Sequence, residues 1–340
     1  MRPQEATSLE LATTPAPRCL LCGAIGVPFQ AGLRDQLFGV PGTWSLRRCL
    51  ECGFVWMDPK PKLEDIGKAY QRYYTHADDD PADRKPSRPP FLRRKIRRLY
   101  RWGLRRLGVI EARDQLLGMY LKGVPKGSLL EIGCGSGARL AGLALEGWQV
   151  LGQEVDPHSA DHATSRYGVS VLVGDLQSLG LEAESFNCIL MNHVLEHLHD
   201  PVGTLQECHR LLKPNGLLVV VTPNVRSLGL QVFGPCWRGL EPPRHIHLFQ
   251  PATLARVARL AGFDTFETFT SMAHAELLAI QSLDIRARGM TVMGEEPSWS
   301  IERQAMAFQL REAWEFRSDP DIGEEAVLIA HREAGRKESD

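Results

Sequence analysis

The chain has 340 residues, 43% of them hydrophobic and 24% charged, with a net charge of −1 and eight cysteines. This composition suits a globular protein with one large domain and a smaller one, and a balance so near neutral supplies no overall field for nucleic acid, which is not expected as a partner. No apolar run is long enough to span a bilayer, and the polar amino terminus lacks an apolar signal core, so the expected location is the cytoplasm.

Residues 1–17 hold three prolines and no periodic apolar pattern, and read as a disordered lead. Two matched knuckles follow, Cys19-Leu20-Leu21-Cys22-Gly23 and Cys49-Leu50-Glu51-Cys52-Gly53. Each two-residue spacer lets both sulfurs of a knuckle face one ion, and the glycine after it permits the turn. Four thiolates suit tetrahedral zinc and fill its shell, so Cys19, Cys22, Cys49 and Cys52 are expected to hold a structural zinc in a ribbon over 18–60. Loss of the metal is expected to unfold that module without abolishing ligand binding elsewhere. Residues 61–112 read as a short helix over 63–74, a linker over 76–90 rich in aspartate, proline and basic residues, and a basic amphipathic helix over 91–107. The apolar stripe of that helix either docks on the rest of the protein or meets an anionic membrane surface, which would place the protein peripherally at the inner membrane.

Next comes Leu129-Leu130-Glu131-Ile132-Gly133-Cys134-Gly135-Ser136-Gly137, a buried strand running into a glycine turn that opens a helix. Such a turn lets a nucleotide-like ligand approach the backbone. Glu131 sits two residues before the first glycine, which suits a cationic ligand and would repel a pyrophosphate. Strand and helix signals then alternate as in a doubly wound sheet. Glu154 ends the second strand, with Asp156 as the alternative acid; Asp175 follows the third, and Asn192-His193 the fourth. A fifth strand over 217–222, a sixth over 263–269 and a seventh over 326–330 complete the pattern, with two helices near 274–288 and 300–316 between the last two.

The phrases between 128 and 224 resemble the class I S-adenosylmethionine (AdoMet) dependent methyltransferases. The resemblance implies an α/β fold: a Rossmann-like seven-stranded methyltransferase sheet over 113–340, preceded by the small zinc ribbon, with the seventh strand antiparallel beside the sixth and a lid-like helical insertion within 245–325. It implies AdoMet as cofactor, with Glu131, Gly133, Gly135 and Gly137 around the amino acid end, Glu154 on the ribose hydroxyls, Asp175 on the adenine amino group and Asn192 lining the same side. The ribbon together with the Arg244-His245-Ile246-His247-Leu248-Phe249 phrase resembles bacterial methyltransferases of glycan and natural-product pathways. The longer carboxy-terminal domain of the sugar enzymes among them has no counterpart in this sequence.

The glycine- and proline-rich stretch between 225 and 249 is long, aromatic and charged, as binding loops are. His245, His247 and, from the fourth strand, His193 are the expected catalytic bases, since histidine titrates near neutral pH. An alternative is a divalent ion held by His193, Glu196, His197 and a loop histidine, because the His193–His197 phrase resembles the Glu-x-x-Glu-His phrase of some RNA and quinone O-methyltransferases. The expected reaction is methyl transfer to an O, C or N nucleophile of a small-molecule, glycan or lipid-linked acceptor. The rivals are a non-catalytic AdoMet-binding scaffold and a nicotinamide-dependent oxidoreductase; Glu131 and the late strand reversal count against the latter.

Overall fold

The computed structural model describes residues 10–70, 91–292 and 294–334. Residues 1–9 of the expected lead and the expected linker at 76–90 lie outside the described residues. The chain opens with β1 (Thr13–Thr14), β2 (Val27–Leu33), β3 (Trp44–Arg48), β4 (Val55–Met57) and β5 (Lys60–Pro61), then a turn of 3-10 helix, Ile66–Tyr70. β1 pairs antiparallel with β5, so this part of the expected disordered lead is ordered strand. It is held there by the Ala16 amide donating to Asp58 Oδ1 (2.6 Å) and the Trp56 indole donating to the Ala16 carbonyl (2.6 Å).

Two helices follow, α1 (Phe91–Arg106) and α2 (Val109–Leu117). The main domain then runs β6 (Ser128–Ile132), α3 (Ala138–Leu145), β7 (Gln149–Glu154), α4 (Pro157–Tyr167), β8 (Val171–Val173), β9 (Phe186–Asn192), α5 (Pro201–Leu211), β10 (Leu212–Pro223), α6 (Leu228–Phe233), β11 (His247–Leu248), α7 (Pro251–Leu260), β12 (Thr265–Ser271), α8 (Ala275–Arg288), α9 (Trp299–Glu315) and β13 (Glu325–His331). Seven strands form one sheet in the order β12-β13-β10-β9-β6-β7-β8. β13 is antiparallel to both neighbours, and the remaining pairs run parallel. This is the expected topology, with the last strand inserted as a reversed hairpin partner.

Both faces of the sheet are covered, which is why its central strands are apolar along their length. In β10, Leu218 and Val220 face one core with α5 and α7, while Leu217, Val219 and Val221 face another with α3. The long β10 starts earlier than the sequence indicates because Leu212 already pairs with Phe186 before a register shift at Leu217.

The ribbon is not a separate body. β2, β3 and β4 form a sheet whose fourth strand is β11, contributed by the loop before α7. β11 pairs antiparallel with β4 through His247 opposite Trp56 and Leu248 opposite Val55, and the Met57 amide donates to the Ile246 carbonyl. The alternation in β4 sends Trp56 into the main core and Val55 and Met57 into a second core with Trp237, Leu240 and Ile246. Beneath this seam, Arg244 donates to both oxygens of Asp35, which belongs to the turn after β2, at 2.8 and 2.9 Å; both side chains are fully buried.

The amphipathic helix forms where expected, but α9 covers its apolar stripe. Tyr100 and Leu104 pack with Met306 and Ala313, Tyr100 Oη donates to Glu276 (2.8 Å), and Arg97 pairs with Glu302. The face proposed for a lipid surface is therefore occupied, with Leu99 and Trp102 left outside among arginines. Among the described residues no helix is long and apolar enough to cross a membrane.

Removing one partner of a fully buried ion pair strands the other charge, at a cost of about 3–5 kcal/mol. Asp35→Ala should therefore lower the denaturant midpoint by a corresponding amount, although Asp35 lies in the ribbon and much of the unfolding signal comes from the main sheet. Denaturant titration is the check; a shift below about 1 kcal/mol would mean that the pair does not couple the two parts.

Candidate active site

The acids picked out in the sequence stand at successive strand ends. Ile132 is level with Gln153 on one side and with Met191 on the other, so the exits of β6, β7 and β9 line one edge of the sheet. Between β6 and α3 the chain turns through Gly133, Gly135 and Gly137, all at positive φ (63°, 53° and 77°). A side chain at Gly133 would strike Val194 and one at Gly137 would strike Ala163, so here glycine is a steric requirement.

Glu131 is buried. Its Oε1 accepts from Arg139 at 2.8 Å, and its Oε2 has no hydrogen-bond partner among the described residues. Burial raises its pKa against the opposing pull of Arg139. Glu154 accepts from the Gly135 amide at 2.9 Å through one oxygen, and from the amides of Val155 and Asp156 (2.8 and 3.2 Å) through the other. Asp156, the alternative, instead caps α4 by accepting from the amides of His158 and Ser159. Asp175 is exposed and caps the turn after β8, accepting from the Gln177 amide. Asn192 is half-buried at the end of β9. Gln153 was not anticipated: buried, it accepts from the Gly133 amide (3.2 Å) and donates to the Gly174 carbonyl (2.6 Å), tying the glycine turn to the exit of β8. A polar residue inside an otherwise apolar strand, next to Glu154, was its only sequence signal.

The three histidines occupy different environments. His193 has φ 55°, a left-handed conformation that histidine adopts more readily than most residues. Its Nδ1 lies 3.3 Å from Glu196 and its Nε2 3.1 Å from Glu325. Burial disfavours its charge, but hydrogen bonds to these two carboxylates prevail and raise its pKa to about 10. Two carboxylates beside the ring favour its protonated form, surroundings that suit the expected base poorly. His247 lies in β11 beside Phe54 (ring centroids 5.4 Å) and Phe249 (6.3 Å), where burial lowers its pKa to about 3. Its Nδ1 has no partner among the described residues. It packs the ribbon seam, and no geometry here presents it to an acceptor.

His245 differs from both. Its Nδ1 donates to the Gly239 carbonyl (2.8 Å), which leaves Nε2 as the proton-accepting nitrogen, 3.5 Å from Glu241 and 3.9 Å from Glu196. Burial lowers its pKa to about 4, so the ring is neutral. Glu241, buried against Arg238, His245 and Arg244, has a pKa well below the carboxylate range despite the opposing effect of burial. The chain of contacts therefore runs Asp35, Arg244, Glu241, His245, Glu196. His197 joins it through Tyr70 Oη (2.9 Å) and the Arg244 carbonyl (3.1 Å). Ligand atoms of Glu196, His197 and His245 lie within 4.8 Å of one another, whereas His193 is drawn to a different trio with His274 and Glu325. The four-ligand set expected around His193 is thus divided between two clusters. Asp35, Glu241, His274 and Glu325 were all missed: Asp35, His274 and Glu325 because their partners are distant in sequence, and Glu241 because its local partners are brought to it by an irregular turn with no periodicity to read.

The four cysteine sulfurs also converge within 4.8 Å, with separations of 3.4, 3.5 and 3.8 Å recorded between three pairs. Bonds of about 2.3 Å in a zinc tetrahedron require edges of about 3.8 Å. The knuckles are built alike: the Gly23 amide donates to the Cys19 carbonyl and the Gly53 amide to the Cys49 carbonyl.

A family model described as a methyltransferase domain matches residues 92–268, more than half of the chain. The chain belongs to the class I AdoMet-dependent methyltransferase family. The ubiquinone biosynthesis O-methyltransferase of Cereibacter sphaeroides is 32% identical over 147 residues, covering 40% of this chain and 60% of that protein. This chain thus spans about 60% of the length of that curated relative. Among solved structures, phosphoethanolamine N-methyltransferase 2 of Haemonchus contortus with S-adenosylmethionine aligns over 65% of this chain and 53% of its own, at 17% identity and a TM-score of 0.45.

His245 and His247 also set a pH dependence. Each is neutral when folded, with pKa lowered to about 4 and about 3, and binds a proton near pH 6.5 when unfolded. Their contribution to stability is complete above pH 6.5 and falls as pH drops from there toward 4 and 3, at up to about 1.4 kcal/mol per pH unit for each ring. Urea unfolding of wild type and His247→Leu at pH 6.5 and pH 5 should show a shallower loss in the variant. Equal slopes would mean that His247 takes up its proton in the folded protein.

Proposed function

We propose that the protein transfers a methyl group from AdoMet to a small-molecule acceptor through a nucleophilic oxygen, with the ribbon serving as a zinc-stabilised wall of the acceptor side. The observation that carries the cofactor reading is the unpartnered, buried Oε2 of Glu131 at the entrance to a glycine turn held at positive φ. An acceptor-only oxygen hidden from water needs a donor, and the α-amino group of AdoMet is a charged one. Glu154, level with the turn, retains lone pairs for the ribose hydroxyls, and Asp175 and Asn192 flank the same edge.

Bound AdoMet supplies an electrophilic methyl carbon on a sulfonium that leaves as a neutral thioether. The acceptor's lone pair forms the new bond to that carbon as the carbon–sulfur bond breaks, its electron pair staying on sulfur, and the acceptor's proton passes to a base. Of the three histidines expected in that role, we assign His245, whose Nε2 is left to accept a proton beside the acids of the loop, whereas His247 is packed among the aromatic rings of the ribbon seam. The rest of the protein's contribution is positioning and exclusion of water by the loop that Arg244 anchors. The similarity to a quinone O-methyltransferase supports an oxygen nucleophile on a small molecule.

Two variants separate binding from transfer. Glu154→Ala should weaken AdoMet binding tenfold or more, equivalent to about 1.5–3 kcal/mol. His245→Ala should leave AdoMet affinity nearly intact and lower turnover strongly. Calorimetry and a methyl-transfer assay with labelled AdoMet on fractionated small-molecule extracts read both, and unchanged AdoMet affinity in Glu154→Ala would overturn the ribose assignment.

For the ribbon, metal analysis should find about one zinc per chain through Cys19, Cys22, Cys49 and Cys52. Because β11 completes the ribbon sheet, stripping the zinc should abolish transfer while AdoMet still binds at the glycine turn. Full turnover in the stripped protein would show instead that the two parts are independent.

A further inference from the structure

Among the described residues, apart from the cysteines and the Glu196 cluster, one more set of ligand-type side chains converges at the sheet edge. His193 comes from the end of β9, His274 from the residue before α8, and Glu325 from the first residue of β13. One ligand atom from each lies within 4.8 Å of the others. Glu325 Oε1 is the centre: His193 Nε2 stands 3.1 Å from it and His274 Nδ1 2.8 Å. Its other oxygen, Oε2, has no hydrogen-bond partner among the described residues although the side chain is 1% exposed. Both histidine side chains are about one-third exposed, so the cluster has a buried floor and an open rim. Beside the rim lies a cavity of about 260 Å³ lined by Arg113, Ala273, His274, Glu276, Leu277 and Ile280.

The second neighbour of His193 gives this cluster its direction. Glu196, fully buried, faces Nδ1 at 3.3 Å and also accepts from Thr222 at 2.9 Å. The Glu196 carboxylate stands on the Nδ1 side of the ring and leaves Nε2 toward Glu325, on the side of the ring where metal-bound histidines present their ligating nitrogen. Nε2 faces that carboxylate oxygen at hydrogen-bond distance, and without a metal a proton on the ring bridges the two; a metal cation can take the proton's place. Two imidazoles and a carboxylate that leave the remaining positions open are a donor set for a divalent transition metal. Ligand separations of about 3.0–3.4 Å follow from bonds of about 2.1 Å, and those at Glu325 Oε1 are close to that range.

We propose that His193, His274 and Glu325 form a binding site for a divalent transition-metal ion, distinct from the cysteine site, that opens onto the cavity beside α8. A metal there displaces the proton that otherwise occupies the gap. It would also draw an acceptor hydroxyl toward its open positions and ease that hydroxyl's loss of a proton; this consequence for the acceptor rests on the methyltransferase reading, while the site itself does not.

The test uses full-length protein with its cysteine site loaded with zinc, titrated with Co²⁺. Wild type should take up one Co²⁺ per chain and develop visible d–d bands of nitrogen and oxygen ligation, without the near-ultraviolet thiolate charge transfer that exchange at the cysteines would produce. His274→Ala changes a partly exposed residue that precedes a helix, and should bind Co²⁺ at least tenfold more weakly with an unaltered far-ultraviolet circular dichroism spectrum. The control Leu277→Ala, on the cavity wall, should bind as wild type does. Absence of Co²⁺ uptake in wild type, uptake through thiolates only, or equal affinity in wild type and His274→Ala would each overturn the site. AdoMet affinity measured on the same samples keeps the two readings apart: cobalt bound without AdoMet overturns the methyltransferase reading and leaves the metal site standing.

Discussion

The fully buried guanidinium of Arg244 is the constraint around which the ribbon, the loop and the sheet are assembled. A charge with no access to water is tolerated only with full pairing, and Arg244 has it: both oxygens of Asp35 on one side, Glu241 Oε1 on another, the Ala69 carbonyl on a third and the ring of Phe38 against its face. Asp35 comes from the cysteine module, Glu241 from the loop after α6 and Ala69 from the turn that leads out of the ribbon. None of these can move without leaving a charge exposed to apolar surroundings. The loop that carries His245 is therefore placed by an electrostatic requirement and then closed by β11.

The same logic accounts for the acids around the histidines. Glu196 and Glu325 are both lowered to about 2 even though burial opposes their charge, because each has imidazole partners within reach. Under α9 the outcome is reversed. Glu324 accepts from the Trp237 indole (2.7 Å) and the Gly229 amide (2.6 Å), yet burial raises it to about 7, and the neighbouring Glu312, likewise buried, lies well above the carboxylate range. Two adjacent glutamates in the sequence, Glu324 and Glu325, are thus shifted in opposite directions: the imidazoles beside Glu325 outweigh its burial, and the indole and amide donors of Glu324 do not.

These contrasts mark what could be read from the sequence. The sheet was legible because its information is local: apolar runs, glycine turns and acids at strand ends are contiguous, and the two helices before the last strand appear within a residue or so of their expected limits. The knuckles were legible for the same reason. The participation of β11 in the ribbon was not, since a two-residue strand has no periodicity and its pairing with β4 joins residues far apart in the chain. His247 looked like His245 because two histidines spaced by one residue share a face in an extended strand; His245 instead sits in the turn before β11, its amide donating to the Glu241 carbonyl, and only it reaches the acids. The apolar stripe of α1 was visible; that α9 would cover it was not, because the covering residues come from the other end of the chain.

The shared seam also governs what happens during synthesis. β4 emerges early, and its outer edge exposes unpaired backbone groups until β11 has been made and the Asp35–Arg244 contact has formed. An open edge of this kind, flanked by Val55, Trp56 and Met57, is a template for pairing between chains. A two-residue strand is a short cover, long enough to satisfy the edge and too short to offer a new one. The edge of β4 thus stays open for as long as the chain between it and residue 248 is still being made.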